Sequence, residues 1–527
     1  MAKGEAVKRL MNKAPGRSVR LGSRLRYLEE SAVHRPLNRL LLVASAILLV
    51  PLMTRAQTVP PVRSEPTTVR SYDGRTMPAE LVRLTVPERR TQPGRTVTVA
   101  ALRLSTTAAH PGHPVVFLMG GPGIPGTVMA PIPPYFTLFQ RLRELGDVII
   151  VDQRGTGSSE PALDCPFEGT LPVDAFVDTD RLVAALRQQV AACADHWRAQ
   201  GVEPTAYNTV ESADDIDDLR QALGIEKVDL LAFSYGTRLA LAVVQRHGAH
   251  VGRIVLQGVN GPGLVVKRPG PVARKLQRLS ELLKRDSAWH DSTDLLVAAR
   301  TARARLEHSA TTVTVNDRRG EPSVKLLIGR EGLDAIVSLN LDDARLSALL
   351  VSVAAGDDRV LTRFVEAAWS GLGGGTVGLM ARAVNCAADR PVARWSLAAR
   401  ESAGAPFGAP IDNAFLSTDF CGAVGYVIPP VEFPEPVRSA SPVLMLTGAL
   451  DATNPIENAH DIARGLANAV VLEVQNTAHE ALTVPGVQDV VVEFLSGADV
   501  RKRRIAAATP HFPTIAEALQ AAPQRVR

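Results

Sequence analysis

The feature that most constrains this chain is a series of short, almost wholly apolar runs, each ending at a loop rich in glycine or in chemically active side chains. Val115–Met119 runs into Gly120-Gly121-Pro122-Gly123, Asp147–Val151 into Asp152-Gln153-Arg154-Gly155, and Val228–Phe233 into Ser234. Arg253–Gln257 follows the next helical stretch, and the rhythm resumes late in the chain at Val443–Thr447 and Val470–Gln475. A strand with one face in water alternates polar and apolar residues. Runs that are apolar throughout, separated by helices, belong to a parallel sheet covered on both faces. Upstream, Glu80–Ser105 does alternate, as in Thr96-Val97-Thr98-Val99-Ala100, and reads as antiparallel strands. Residues 57–78, rich in Pro, Thr and Arg, read as an extended lead-in.

Between about Gly261 and Ala440 the rhythm stops. Helical patterns replace it, at Val272–Lys284, Asp294–Leu306 and Asp342–Ala355, with joints such as Gly371–Gly375. After that come helices near Pro455–Leu466 and Val487–Leu495. The expected organisation is one α/β core in two parts, 57–261 and 441–500, interrupted by a helical lid over 262–440. A peripheral tail follows at 501–527.

The net charge of +5 is concentrated at the start of the chain, where Lys3, Lys8, Arg9, Arg17, Arg24 and Arg39 are among many basic residues. The remainder is near neutral and carries no basic stripe interleaved with aromatics, so a nucleic-acid partner is not expected. An apolar run from Leu40 to Met53 follows, then Thr54-Arg55-Ala56. Basic region, short apolar region and small residues describe a secretory signal peptide cleaved after Ala56. The run is short for a span of about 20 residues. The long basic region and Arg55 keep a retained membrane anchor over 40–53 as the alternative. Residues 1–56 are therefore read as a signal peptide or anchor, and the protein as exported, periplasmic or secreted.

Export permits disulfides, and the chain has four cysteines. Three connectivities are open. Closeness in sequence, outside the expected central strands, favours Cys165–Cys193 and Cys386–Cys421 over the others, with four unpaired thiols as the alternative. Their spacing does not fit a zinc site. No dinucleotide fingerprint or P-loop occurs, and Gly371–Gly375 is not followed by Lys-Ser/Thr. No metal or cofactor is expected.

Four features fall at the carboxyl ends of expected strands, where open α/β sheets place their sites. Ala232-Phe233-Ser234-Tyr235-Gly236 joins a strand to a helix, as a nucleophile elbow does, with Ala in the first small position. Asp451 follows one late strand and His479 the last. Ser, Asp, His is the chain order of an α/β-hydrolase. A serine hydroxyl needs a base to take its proton, which His479 would be, and Asp451 would orient and stabilise the imidazolium. Each residue alone has a duller reading, Asp451 as a helix cap and His479 as a loop histidine, and it is their joint placement that counts. The glycine loop would supply one oxyanion donor, at Gly121, and the residue after the nucleophile the other, at Tyr235. His110, His113, His247, His250 and His460 read as surface or helix-end residues.

These motifs together, Gly120-Gly121-Pro122-Gly123, Asp152-Gln153-Arg154-Gly155-Thr156-Gly157 and Phe233-Ser234-Tyr235-Gly236, resemble the proline iminopeptidase family. Within peptidase family S33 the chain looks most like the secreted tripeptidyl-aminopeptidase branch, from about Glu80 to Leu495. Asn208-Thr209-Val210-Glu211, Asp214–Arg220 and Val384-Asn385-Cys386 extend the likeness. The resemblance implies an aminopeptidase that releases N-terminal proline or short peptides, with a lid gripping the substrate's free amino end. It also implies a structural role for Arg154. Three positions depart from the pattern. Met119 stands where relatives have His, Ala232 replaces Gly, and Ala388 stands where relatives often carry a Glu that binds the substrate ammonium. Glu366 or Asp389 could take over that binding. The rival function is an esterase or amidase acting on small molecules with the same triad, and a non-catalytic binding protein of the same fold is the third.

Overall fold

The computed structural model describes residues 60–92, 94–166, 171–289, 294–316, 323–372, 376–427 and 432–521. The leader or anchor expected over 1–56 lies outside them. Fourteen strands form among the described residues. They are β1 (Val62–Arg70), β2 (Thr76–Pro87), β3 (Thr96–Leu104), β4 (Val115–Leu118), β5 (Val148–Asp152), β6 (Asp164–Pro166), β7 (Val228–Phe233), β8 (Val251–Gln257), β9 (Thr311–Val315), β10 (Val324–Ile328), β11 (Thr376–Gly378), β12 (Ser439–Gly448), β13 (Leu466–Gln475) and β14 (Ile505–Ala506).

Ten of them make one sheet, in the order β1-β2-β3-β5-β4-β7-β8-β12-β13-β14. The joints from β1 to β5 are antiparallel and those from β5 to β14 are parallel. The apolar runs become the parallel centre because their residues are buried in both directions. Val116, Leu118, Leu230, Ala232, Ile254 and Leu256 face one core. Their neighbours Val115, Phe117, Leu231, Phe233, Val255 and Leu444 face the other, with the helices Pro133–Leu142 and Pro485–Leu495. The period-2 pattern is therefore present in the packing although nearly every residue of these runs is apolar.

Between β8 and β12 the described residues make eight α-helices, including Pro269–Leu283, Leu295–His308, Leu346–Ala354 and Arg359–Leu372. This insertion, expected to be mostly helical, also holds an antiparallel pair, β9 with β10. Its strands are short, and its Thr- and Val-rich sequence, Thr311-Thr312-Val313-Thr314-Val315, is a strand signal lost among helical neighbours. The segment between β5 and β7 joins the same layer. Its β6 pairs with β11 of the insertion, and its helix Thr179–Ala199 packs on the insertion helix Thr418–Val424. Both expected disulfides are formed: Cys165–Cys193 closes the β5–β7 segment and Cys386–Cys421 closes the insertion.

The extended lead-in holds a nine-residue strand, β1, most of it exposed. The tail is corrected. The described residues after 501 are not peripheral. Ile505–Ala506 adds the last strand to the sheet, the Phe512 carbonyl accepts the Trp289 indole N–H at 2.9 Å, and the helix Ile515–Gln520 packs on the insertion. Val500, Ile505, Phe512 and Ala518 are buried.

Candidate active site

β7 lies between β4 and β8, with Ala232 level with Leu118 and Leu256. The chain then turns sharply at Ser234, whose φ of 54° and ψ of −123° are uncommon for a residue with a side chain. The helix Tyr235–His247 begins immediately after it. Close packing enforces the turn. The Ser234 N–H donates to the Gln257 carbonyl at 2.9 Å. A Cβ on Gly236 would stand 2.0 Å from the Leu118 carbonyl oxygen, and one on Gly120 would stand 2.7 Å from the Ser234 Cβ. Only glycine fits at either place.

The structure brings the three residues read from the sequence together. His479 Nε2 lies 2.9 Å from Ser234 Oγ, and His479 Nδ1 lies 2.7 Å from Asp451 Oδ2. Asp451 uses its other oxygen to accept the N–H groups of Thr453 and Asn454, at 2.9 and 2.8 Å. The Phe233 ring packs 4.9 Å from the imidazole, and the His479 carbonyl accepts Gln257 Nε2 at 2.6 Å. Burial alone would lower the pKa of His479. The charge of Asp451 and its hydrogen bond outweigh that, so the net shift is upward.

Gly121 has a φ of 109° on the loop after β4, and that loop is held by Gln153 Nε2 donating to the Met119 carbonyl at 2.9 Å. Tyr235 is the first residue of its helix, where backbone N–H groups have no intrahelical acceptor. Its phenol is buried, which pushes its pKa up to about 12. Arg238, one turn further on, stacks 4.8 Å from the Tyr235 ring and faces the buried Glu432 at 3.7 Å. The loop after β5 is structural. Asp152 accepts both the N–H and the hydroxyl of Thr127 and the Ser158 N–H, while Arg154, fully buried, donates to both oxygens of Asp215 and to the carbonyls of Pro87, Glu88 and Ala206.

A family model described as "alpha/beta hydrolase fold" matches residues 113–484, well over half of the chain. The chain belongs to the α/β-hydrolase fold family. Among curated proteins it is similar to "Putative hydrolase YuaR" of Escherichia coli (strain K12), 30% identical over 33% of this chain and 35% of that one. It is also similar to "Serine protease Hip1" of Mycobacterium tuberculosis (H37Rv), 32% identical over 32% of this chain and 33% of that one. The match thus spans about a third of the length of these relatives. A solved esterase from Thermogutta terrifontis aligns over 79% of this chain and 98% of its own, with 15% identity and a TM-score of 0.35.

In this α/β-hydrolase the two insertion carboxylates picked from the sequence are engaged elsewhere. Both oxygens of Asp389 accept backbone N–H groups, of Glu432 and Phe433, at 3.2 Å each, so Asp389 fastens the returning chain. Glu366 is bonded by Arg363 at 3.2 Å and Asn316 at 3.4 Å within the insertion. Sequence shows that a carboxylate is present but not where it points. Ala388 sits in a small apolar cluster with Val265, Val266, Ala398 and Leu416. A carboxylate at this position would be buried among apolar groups.

The acid that the fold does set beside the triad is Asp342, which lies against the backbone of His479. Lys275 holds it at 2.7 Å. Crowding by neighbouring protein works against its charge although the side chain is partly accessible, but Lys275 and His479 keep its pKa below the usual carboxylate value. In the sequence Asp342 reads only as a helix start, and nothing local marks it as part of a site. The remaining described histidines stay apart from the triad; His113 pairs with Asp229 at 3.1 Å and His247 with Asp214 at 2.8 Å. Among the described residues no group of three or more His, Cys, Asp or Glu could hold a metal ion.

Proposed function

We propose that this chain is an exported serine hydrolase that works through an acyl-enzyme on Ser234, and that it is an aminopeptidase releasing N-terminal proline or short peptides. The observation that carries the hydrolase reading is the imidazole of His479 bridging Ser234 Oγ and Asp451 Oδ2 at 2.9 and 2.7 Å. Ser234 Oγ attacks the substrate carbonyl as its proton passes to His479 Nε2. Asp451 stabilises the resulting imidazolium without taking a proton itself. The N–H groups of Gly121 and Tyr235 receive the oxyanion. Removing one such donor typically costs about 10²–10³ in rate. His479 then hands its proton to the leaving group, whose bond to the carbonyl carbon breaks. Water, deprotonated by the same imidazole, attacks the ester carbonyl and releases Ser234.

The aminopeptidase reading rests on the motif resemblance, with Asp342 as the insertion carboxylate beside the triad. Two disulfides in one chain support export to an oxidising compartment. A specific observation also favours the esterase or amidase alternative: Ala388 is packed in apolar surroundings, and Asp342 is already paired with Lys275.

The test is hydrolysis by the full chain, with Ser234→Ala as control. The panel holds prolyl and tripeptidyl fluorogenic amides, free and N-acetylated, beside a short-chain ester. Cleavage of free amides with rejection of acetylated ones is the expected result. Cleavage of the ester and blocked amides with free amides untouched would replace the aminopeptidase with an esterase. Equal activity of Ser234→Ala would remove the hydrolase reading altogether.

A further inference from the structure

The chain leaves the sheet after β8 and enters its first insertion helix at Pro269, and Lys267 lies in the connection. Its backbone is gripped from the insertion side. Asn413 Oδ1 accepts the Lys267 N–H and Asn413 Nδ2 donates to the Lys267 carbonyl, both at 2.8 Å. The side chain runs the other way, towards the sheet. Its Nζ donates to Asn454 Oδ1 at 2.7 Å and to the Thr453 carbonyl at 3.2 Å. These two residues form the turn whose N–H groups hold Asp451 Oδ1. Asn454 Nδ2 also donates to the Gly258 carbonyl at 3.0 Å, beside the imidazole. An unbroken series of hydrogen bonds therefore runs from the insertion to the triad acid, and one ammonium closes it.

We propose that Lys267 is a positioning residue for the triad, locking the Thr453–Asn454 turn so that Asp451 keeps Oδ1 in the turn and presents Oδ2 to His479. This rests on the hydrolase reading above. An ammonium suits the task because it donates to two acceptors at once and carries charge next to a carboxylate. The charged groups facing it are Asp412 from the turn Ile411–Leu416, Asp451, Arg394 from the helix Val392–Ser402, Arg238 from the helix Tyr235–His247, and His479 when protonated. Part of the side chain remains accessible, yet crowding by protein pushes the ammonium down to about 8, against the pull of Asp412 and Asp451. Lys267 is thus charged at neutral pH and loses its charge just above it. While charged, it also holds the pKa of His479 down.

The experiment follows turnover of a short-chain nitrophenyl ester by the full chain from acid to alkaline pH, with kcat expressed per serine titratable by a fluorophosphonate. For Lys267→Met, kcat is expected to fall roughly ten- to a hundredfold, with KM little changed. The acid limb of kcat should move to higher pH, because a positive charge near His479 has gone. The wild type should lose activity through about pH 8, and Lys267→Arg, which stays charged, should recover most of the rate without that alkaline loss. A Lys267→Met chain that melts earlier yet keeps the wild-type kcat per titratable serine and the wild-type acid limb overturns the proposal, since Lys267 would then be a structural tie only. Wild-type turnover that does not depend on Ser234 would instead remove the hydrolase reading, and this inference with it.

Discussion

Gly258 offers a way to move the imidazole without touching the triad itself. Its φ is 64°, and an added Cβ would stand 2.8 Å from His479 Cε1, 3.1 Å from Nδ1 and 3.6 Å from Asp451 Oδ2. Carbon atoms rest about 3.5–4.0 Å apart, so Gly258→Ala demands a retreat of roughly 0.7 Å or more. The backbone cannot supply it. The Gly258 N–H is bound to the Leu446 carbonyl at 2.9 Å, and its own carbonyl to Asn454 at 3.0 Å. The ring is tethered at Nδ1 by Asp451 and flanked by Phe233, so the displacement must appear at Nε2 and stretch the 2.9 Å bond to Ser234. A misplacement of that order costs about 10² in rate, or about 2.7 kcal/mol in activation free energy. The fold bears only the left-handed strain, about 1–2 kcal/mol, so catalysis should suffer more than stability. The assay is kcat on an activated ester per titratable serine, beside the melting temperature. A kcat within about twofold of wild type would show that the imidazole is not held as described, and a rate loss matched by loss of folded protein would assign the effect to stability.

Asp451→Asn should lower kcat by about 10⁴. Because Asp451 raises the pKa of His479 and the base must be neutral to act, the acid limb of the wild-type rate lies above the ordinary histidine value and should move to lower pH in this variant; a pH–rate profile with an unmoved limb contradicts the pairing. Arg154→Met leaves Asp215 buried without its bidentate partner, a change worth about 3–5 kcal/mol. Arg90, 2.7 Å from the same carboxylate, should keep the cost near the lower end. Urea denaturation measures it, and a raised KM at unchanged stability would make Arg154 a substrate contact instead.

Much of this protein was legible from local sequence, and the reasons are physical. β7 could be placed to the residue because a six-residue run that is apolar but for Asp229, leading into Ser-Tyr-Gly, has few other ways to fold. Asp451 and His479 could be named because each follows such a run, and the turns after parallel strands converge on one edge of the sheet. The cysteine pairs were favoured by proximity, since a short loop needs little ordering to close. Direction and distant partners could not be read this way. Glu366 and Asp389 looked suitable as ammonium ligands, but their hydrogen bonds go to Arg363 and Asn316 and to the backbone at 432–433. Asp342 and Lys267 carried no signal, because their roles arise from packing the insertion against the loops after β12 and β13, far away in the chain. The tail looked peripheral, yet its strand and its buried Phe512 join sheet and insertion. Short-range patterns of apolarity and turn chemistry determined the sheet, the elbow and the identity of the triad. Which charges face that triad was decided only by the tertiary structure, because a side chain's surroundings depend on contacts across hundreds of residues that no local pattern encodes.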